Sequence, residues 1–406
     1  MKFAHLADCH IGGWREEKLK ELGIESFRNT IDICIKENVG FVIISGDLFN
    51  TSLPSIETLK EVASILEKLR SKDIAVYLVP GSHDFSASGK TMLDVLEKAG
   101  LCKNIVNIEE IDDKIKLKFI TDDKTNVKLA GLFGKKGGLE KSYYEILDKK
   151  NLEEESGFKI FLFHTGLTEF MPKNMEEVDS QPVSLLPKNF DYYAGGHIHY
   201  IFDKKEDDYG LIAFPGPLFP NNFKELEELK NGGFYIVNDK LEMNYIPIKL
   251  KEVISFKFNA DDKTPDELEK EIISSIKDFE DKIVTLRVEG VLKSGKPNDV
   301  NFKEILSRLE NSFVVLKNTN KLTTKEFEEL EVETGNIEEI EDKIIKSHLS
   351  QIKVKDFTED KEEKLVHDLL EQFGLEKDEN EKNADFEDRL TDSIIKSLNI
   401  KEIWEK

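Results

Sequence analysis

Tyr192-Tyr193-Ala194-Gly195-Gly196-His197-Ile198-His199 is a short apolar strand that ends in paired glycines and a His-x-His motif. Four further strand ends carry the same kind of chemistry. Asp8-Cys9-His10 follows Phe3–Ala7, Gly46-Asp47 follows Phe41–Ser45, Gly81-Ser82-His83-Asp84 follows Ile74–Val79, and His164 closes Ile160–Phe163. In layered α/β proteins ligands bind outside the carboxyl ends of the strands, so these five loops converge on one cleft. Their glycines let backbone and side chains come close to an ion. Each motif alone is weak, since Asp-x-His recurs by chance and Gly-Asp is an ordinary turn. Their succession at strand ends is what carries the reading.

Val127–Leu132, Leu211–Phe214 and Gly233–Val237 add three strands, with helical patterns between strands at Glu25–Glu37, Ser55–Leu69, Thr91–Lys98 and Leu139–Lys149. This alternation predicts α/β or α+β layering over residues 1–250. Ile56, Leu59, Val62, Ala63 and Leu66 recur at three-to-four spacing, which predicts one buried helix face. A second unit begins near Glu252, where Ile254, Phe256 and Phe258 alternate as a half-buried strand does. Thr264-Pro265-Asp266-Glu267 is a helix start, with Thr264 as cap and Glu267 reaching back. Ile283–Val288, helical Asn301–Leu309 and strand-like Phe313–Leu316 complete a small βαβαβ pattern over residues 251–320.

Residues 321–406 are strongly acidic and carry three amphipathic helical patterns. One has Ile337, Ile340, Ile344 and Leu349; the next has Leu365, Val366, Leu369, Leu370 and Phe373; the last has Phe386, Leu390, Ile394, Ile395 and Leu398. The polar Glu376–Asn383 reads as a flexible linker. Apolar stripes with no core of their own predict docking into a partner's groove.

Mixed imidazole and carboxylate ligands suit first-row divalent ions, whereas a magnesium or calcium site would be richer in oxygen. Two ions roughly 3.5–4 Å apart can orient a phosphate and stabilise both oxygens of an in-line displacement. Asp47 is the carboxylate best placed to bridge them. His5, inside the first strand, reads as structural, and His348 and His367 as helix-surface or interface residues. Ser88-Gly89-Lys90-Thr91 imitates the end of a P-loop, but Asp84 stands where that motif needs glycine.

The 406 residues suggest two or three domains. No apolar run approaches the ~20 residues of a membrane span, the N-terminus lacks a signal-peptide stretch, and three scattered cysteines fit a reducing cytosol. The net charge of −23 argues against simple nucleic-acid binding. Its distribution matters: residues 1–250 carry 32 bases against 41 acids, and residues 251–406 carry 26 against 40. Six of eight histidines lie in the first 200 residues.

These motifs, with Phe214-Pro215-Gly216-Pro217-Leu218 and Gly232-Gly233-Phe234-Tyr235-Ile236-Val237, resemble the calcineurin-like metallophosphoesterase superfamily. Within it the sequence is similar to the archaeal Mre-eleven/SbcD family of double-strand-break repair nucleases. The resemblance implies an α+β sandwich with a four-layer core over residues 1–250, a small α/β capping domain that contacts DNA over 251–320, and a helical tail over 321–406. It implies one manganese ion on Asp8, His10, Asp47 and His199, and a second on Asp47, Ser82, His164 and His197. His83 would be the non-ligand that protonates the leaving 3′-oxygen, with Asp84 orienting it. Implied too are exonuclease and single-strand endonuclease activity, a homodimer, and docking of the tail on the coiled-coil base of a Rad-fifty/SbcC-type ATPase in a prokaryotic cytoplasm.

Two positions depart from that pattern. Ser82 replaces an asparagine, and a hydroxyl is a shorter and weaker ligand than an amide oxygen. Asn50 stands where relatives often carry a histidine, which bears on DNA ends. Two alternatives accompany the nuclease: a phosphoesterase for small phosphoesters or phosphoproteins, and a weakly active structural DNA-end tether.

Overall fold

The computed structural model describes residues 1–85, 91–111, 113–175, 178–325, 345–346, 349, 358–375 and 383–398. Strand Lys2–Leu6 shows how the sequence sets the layers. Phe3 enters one core with Phe41, Ile43, Ile160 and Tyr192, while Ala4 and Leu6 enter another with Phe27, Val62 and Leu66. Strand Phe41–Ser45 repeats the alternation, Phe41 and Ile43 on one side, Val42 and Ile44 on the other. Strands buried on both faces read as unbroken apolar runs, which is why these were legible.

Two six-stranded sheets result. The first runs in the order Met243–Pro247, Gly233–Asn238, Lys2–Leu6, Phe41–Ser45, Ala75–Val79, Lys103–Asn104, its last four strands parallel. The second runs Phe202–Glu206, Gly210–Phe214, Tyr192–Gly196, Lys159–His164, Lys128–Gly131, Ile120–Thr121, with its middle four parallel and both edges antiparallel. The seam between the sheets holds Phe3, Phe41, Ile43, Ile160, Leu162 and Tyr192, all at 0% exposure. At ~1.5–3 kcal/mol per buried side chain, that seam outweighs any local propensity. Helices Glu17–Lys36 and Ile56–Ser71 cover the first sheet through Phe27, Ile31, Val62 and Leu66. Tyr144, Leu147 and Leu152 cover the second beside Phe161 and Phe163. The architecture is mixed α/β in four layers, helix–sheet–sheet–helix, and the parallel strands bring their carboxyl ends to a common side.

Details differ from the sequence-based expectation. Helix Glu17–Lys36 starts two turns earlier than Glu25, because its first turns are polar outside and bury only Leu19 and Gly23. Ile56 lies in the first turn of its helix and is 80% exposed, off the buried stripe Thr58, Val62, Ile65, Leu66 and Leu69. The helix expected over Leu139–Lys149 is only Lys141–Glu145, and a second short helix, Lys150–Glu153, follows beyond it. The polar edge strand Phe202–Glu206 carries no apolar period, and the seven-residue helix Phe223–Leu229 is too short for its Phe223, Leu226 and Leu229 to make a clear one; neither was foreseen.

By internal contacts the chain forms two compact units: Met1–Ser255 with Phe279–Thr285 and Ser312–Leu316, and Phe256–Asp278 with Leu286–Asn311 and Lys317–Lys406. Strands Val253–Asn259, Ile283–Leu292 and Val314–Thr324 form a sheet in that order. In the second unit Phe258, Leu268, Ile272, Leu286, Val288 and Ile305 make a core. Helix Pro265–Ser275 has the full capping box: Thr264 Oγ1 accepts from Glu267 N–H (3.4 Å) and Glu267 Oε2 accepts from Thr264 N–H (2.9 Å). Helices Glu359–Phe373 and Asn383–Leu398 pack on each other and leave Leu370, Phe373 and Leu398 exposed. Ile337, Ile340, Ile344, His348, Ser88, Gly89, Lys90 and the linker positions 376–382 lie outside the described residues. No described helix is long and apolar enough to cross a membrane.

Candidate metal centre

The strand-end loops meet as their sequence order suggested. Asp8 (φ 48°), His10 (φ 41°), Asp47 (φ 51°) and His197 (φ 85°) are all left-handed. That conformation costs on the order of 1–3 kcal/mol for a residue with a Cβ, and such strain gathers at functional sites. Cross-loop hydrogen bonds hold it: Asp8 N–H donates to Gly46 O (3.2 Å), His10 N–H to Asp47 O (2.9 Å) and Ile11 N–H to Leu48 O (3.0 Å). His197 N–H donates to both Asp8 carboxylate oxygens, at 3.0 and 3.1 Å. Two glycines are required by close approach. A Cβ on Gly46 would lie 2.0 Å from His164 Nδ1, and one on Gly196 would lie 1.9 Å from Ser45 O.

The side chains form overlapping groups whose ligand atoms all lie within 4.8 Å: Asp8, His10 and His199; Asp8, Asp47 and His164; His10, Asp47 and His83. Asp47 Oδ2 is 3.2 Å from His164 Nε2 and 3.6 Å from His10 Nε2. Asp8 Oδ1 is 3.7 Å from His199 Nε2, and His10 Nε2 is 3.0 Å from His199 Nε2. Ser82 Oγ donates to Asp47 Oδ2 at 3.5 Å. His197 belongs to none of these groups; its ring packs edge-on against His164, 5.2 Å between centroids.

A cation fits this arrangement. His164 Nε2 is buried with no hydrogen-bond partner, 3.2 Å from Asp47 Oδ2; His10 turns Nε2 to Asp47 and His199, its Nδ1 being the other buried ring atom without a partner. Buried polar atoms are almost always satisfied, and imidazole nitrogens converging with carboxylates find that satisfaction in a divalent ion.

Electrostatics agree. Burial would push the Asp47 carboxyl up, but His164, His10 and His83 hold it well below the carboxylate range. Burial opposes charge on His164 and His199 as well. Asp47 and Asp8 nevertheless raise His164 to about 10, and Glu225 with Asp8 raises His199 to about 9. The centre is built for positive charge, which an ion supplies in place of those protons. Burial and the neighbouring His164 lower His197 to about 3, which keeps its ring neutral.

His83 N–H donates to Asp47 Oδ1 (2.8 Å), and His83 Nδ1 pairs with Asn50 O (2.8 Å). The backbone of residue 50, not Asp84, therefore orients this ring. Asp84 instead accepts from Gly81 N–H (2.9 Å) and Phe49 N–H (3.2 Å), bracing the loops that carry Ser82, His83 and Asp47. His5 is structural as expected, buried between Tyr192 Oη (2.8 Å) and Ser45 Oγ (3.0 Å). His367 is exposed on its helix. Sequence reasoning missed Glu225, whose Oε1 lies 2.8 Å from His199 Nδ1. Its signal was available: Asn222 three residues before it is a cap followed by an acidic residue at the third helical position.

The sequence profile of the calcineurin-like phosphoesterase family matches residues 1–200. A protein of Archaeoglobus fulgidus named "DNA double-strand break repair protein Mre11" is 25% identical over a 445-residue alignment, covering 99% of this chain and 96% of that protein. Proteins of the same name align from Methanococcus maripaludis at 29% identity (86% of this chain, 91% of that one) and from Sulfolobus acidocaldarius at 24% (92% and 99%).

Proposed function

We propose that the chain is a metal-dependent phosphoester hydrolase whose substrate is DNA, a reading supported by the match of residues 1–200 to the calcineurin-like phosphoesterase profile. The observation that carries the reading is the convergence of Asp8, His10, Asp47, His164 and His199, with His164 Nε2 buried and unpartnered against Asp47. The near full-length similarity to proteins named for double-strand break repair supports DNA as the substrate.

Asp8, His10, Asp47 and His199 would hold one manganese ion. Asp47, Ser82, His164 and His197 would hold the other. When bound, the pair supplies Lewis-acid charge for in-line displacement at phosphorus. The chain supplies the rest. With Nδ1 tied to Asn50 O, His83 keeps Nε2 for the substrate, where it gives a proton to the departing 3′-oxygen. Asp84 keeps the Gly81–His83 turn in place.

In this reading the enzyme is an exonuclease and single-strand endonuclease that works as a homodimer. Residues 251–320 act as a capping domain on DNA. The acidic tail over 321–406 docks on a coiled-coil ATPase of the Rad-fifty/SbcC kind, a role supported by the exposed Leu370, Phe373 and Leu398. The test is manganese-dependent cleavage of single-stranded and duplex DNA, beside a chromogenic bis-ester and a phosphomonoester. DNA cleavage that falls ~10²–10⁴-fold in His83→Leu is the expected result. Full activity in that variant sinks the assignment, and activity on the small esters alone makes the chain a small-molecule phosphoesterase. Truncation after Lys325, past the end of strand Val314–Thr324, should keep cleavage and lose co-purification with the ATPase.

A further inference from the structure

We infer that Glu225 is a positioning residue of the metal centre, the carboxylate that fixes His199 as a ligand; this rests on the reading of Asp8, His10 and His199 as a cation site. His199 Nδ1 lies 2.8 Å from Glu225 Oε1, and the Glu225 side chain is only 12% exposed. A carboxylate can only accept, so Nδ1 carries the hydrogen and the Nε2 lone pair is committed to the opposite side of the ring. That Nε2 is the atom 3.0 Å from His10 Nε2 and 3.7 Å from Asp8 Oδ1. One contact thus sets both the tautomer and the aim of the ring.

The contact is unlike those of the neighbouring imidazoles. His164 Nδ1 pairs with Ser45 O and His83 Nδ1 with Asn50 O, both at 2.8 Å and both neutral main-chain carbonyls. A carboxylate behind an imidazole raises its basicity as a ligand, and loss of such a partner typically weakens metal affinity ~10–100-fold. Glu225 is itself tightly held. Its Oε2 accepts from Asn221 N–H (2.7 Å), its Oε1 accepts from Asn222 Nδ2, and its own N–H donates to Asn222 Oδ1 (3.0 Å). The next residue, Leu226, is fully buried with Leu19, Phe219 and Ile283. With both oxygens engaged and the backbone pinned, the side chain has little freedom except to face His199.

The experiment is a manganese titration of chelator-stripped full-length protein, read by the electron paramagnetic resonance of free Mn²⁺, in wild type, Glu225→Gln and Glu225→Ala. The tighter ion should lose roughly 10–100-fold in affinity, more in Ala than in Gln. The weaker ion should change little. In zinc-loaded protein, long-range ¹H–¹⁵N spectra should show a strongly hydrogen-bonded Nδ1–H on His199. Both variants should shift that resonance while leaving those of His164 and His83 in place, which a merely structural role would not do. The isosteric Gln variant answers if Ala does not fold. Affinity within twofold of wild type and an unmoved His199 resonance overturn the inference alone. Absence of manganese binding by the wild type overturns the metal reading and this inference together.

Discussion

The two halves of the centre are built to different standards. On the Asp8 side, His10, His199 and the shared Asp47 converge, and His199 is backed by the Glu225 carboxylate. On the His164 side, the ring is backed by a neutral carbonyl, Ser82 offers a hydroxyl 3.5 Å from Asp47, and His197 stands outside the ligand groups. If the centre holds two ions as proposed, the difference teaches that they need not be bound equally: the ligands of one position already converge in the fold, while those of the other do not.

The most damaging way to probe that contrast is Asp47→Asn, which strikes the element common to both halves. We expect loss of both ions in a manganese titration and a fall in DNA cleavage of ~10²–10³-fold or more. Retention of one ion at wild-type affinity would show that the halves do not depend on Asp47 equally. Ser82→Asn sharpens the contrast from the weak side. An amide oxygen there should tighten the second ion roughly tenfold, worth ~1.4 kcal/mol, visible as spin-coupled Mn²⁺ pairs at lower metal concentration. An unchanged titration would remove Ser82 as the cause of the asymmetry.

The smallest expected effect concerns His5, which lies outside the centre and tests the sheets that carry it. Burial lowers His5 to about 3, so the folded chain keeps it neutral where the unfolded chain protonates it at about 6.5. The unfolded state then binds more protons, and stability from this site is lost as pH falls from about 6.5 toward 3. In metal-free protein, the urea midpoint of His5→Gln should therefore decline less between pH 6.5 and 4.5 than that of wild type. An equal decline would place the acid sensitivity elsewhere.

Much of this was readable beforehand. Phe41–Ser45 is apolar throughout because both faces are buried, and its bounds follow directly. The motif residues Asp8, His10, Asp47 and His164 lie at strand ends, where parallel topology gathers them whatever the loops do. Phe202–Glu206 escaped because an edge strand with one wet face needs no apolar period. Glu225 escaped for another reason. It reaches His199 from a seven-residue helix that follows in the chain by 26 residues, and no local spacing encodes that meeting. The role that the resemblance implied for Asp84 is seen here only indirectly: its carboxylate accepts from Gly81 and Phe49 N–H and braces the turn that carries His83.

His83 is aimed by a peptide carbonyl, the one belonging to Asn50. Whatever side chain position 50 carries, that oxygen is there. The aim of the His83 ring is thereby decoupled from the identity of residue 50; under the proposed mechanism, a lineage, or an engineer, can change that side chain without disturbing the acid.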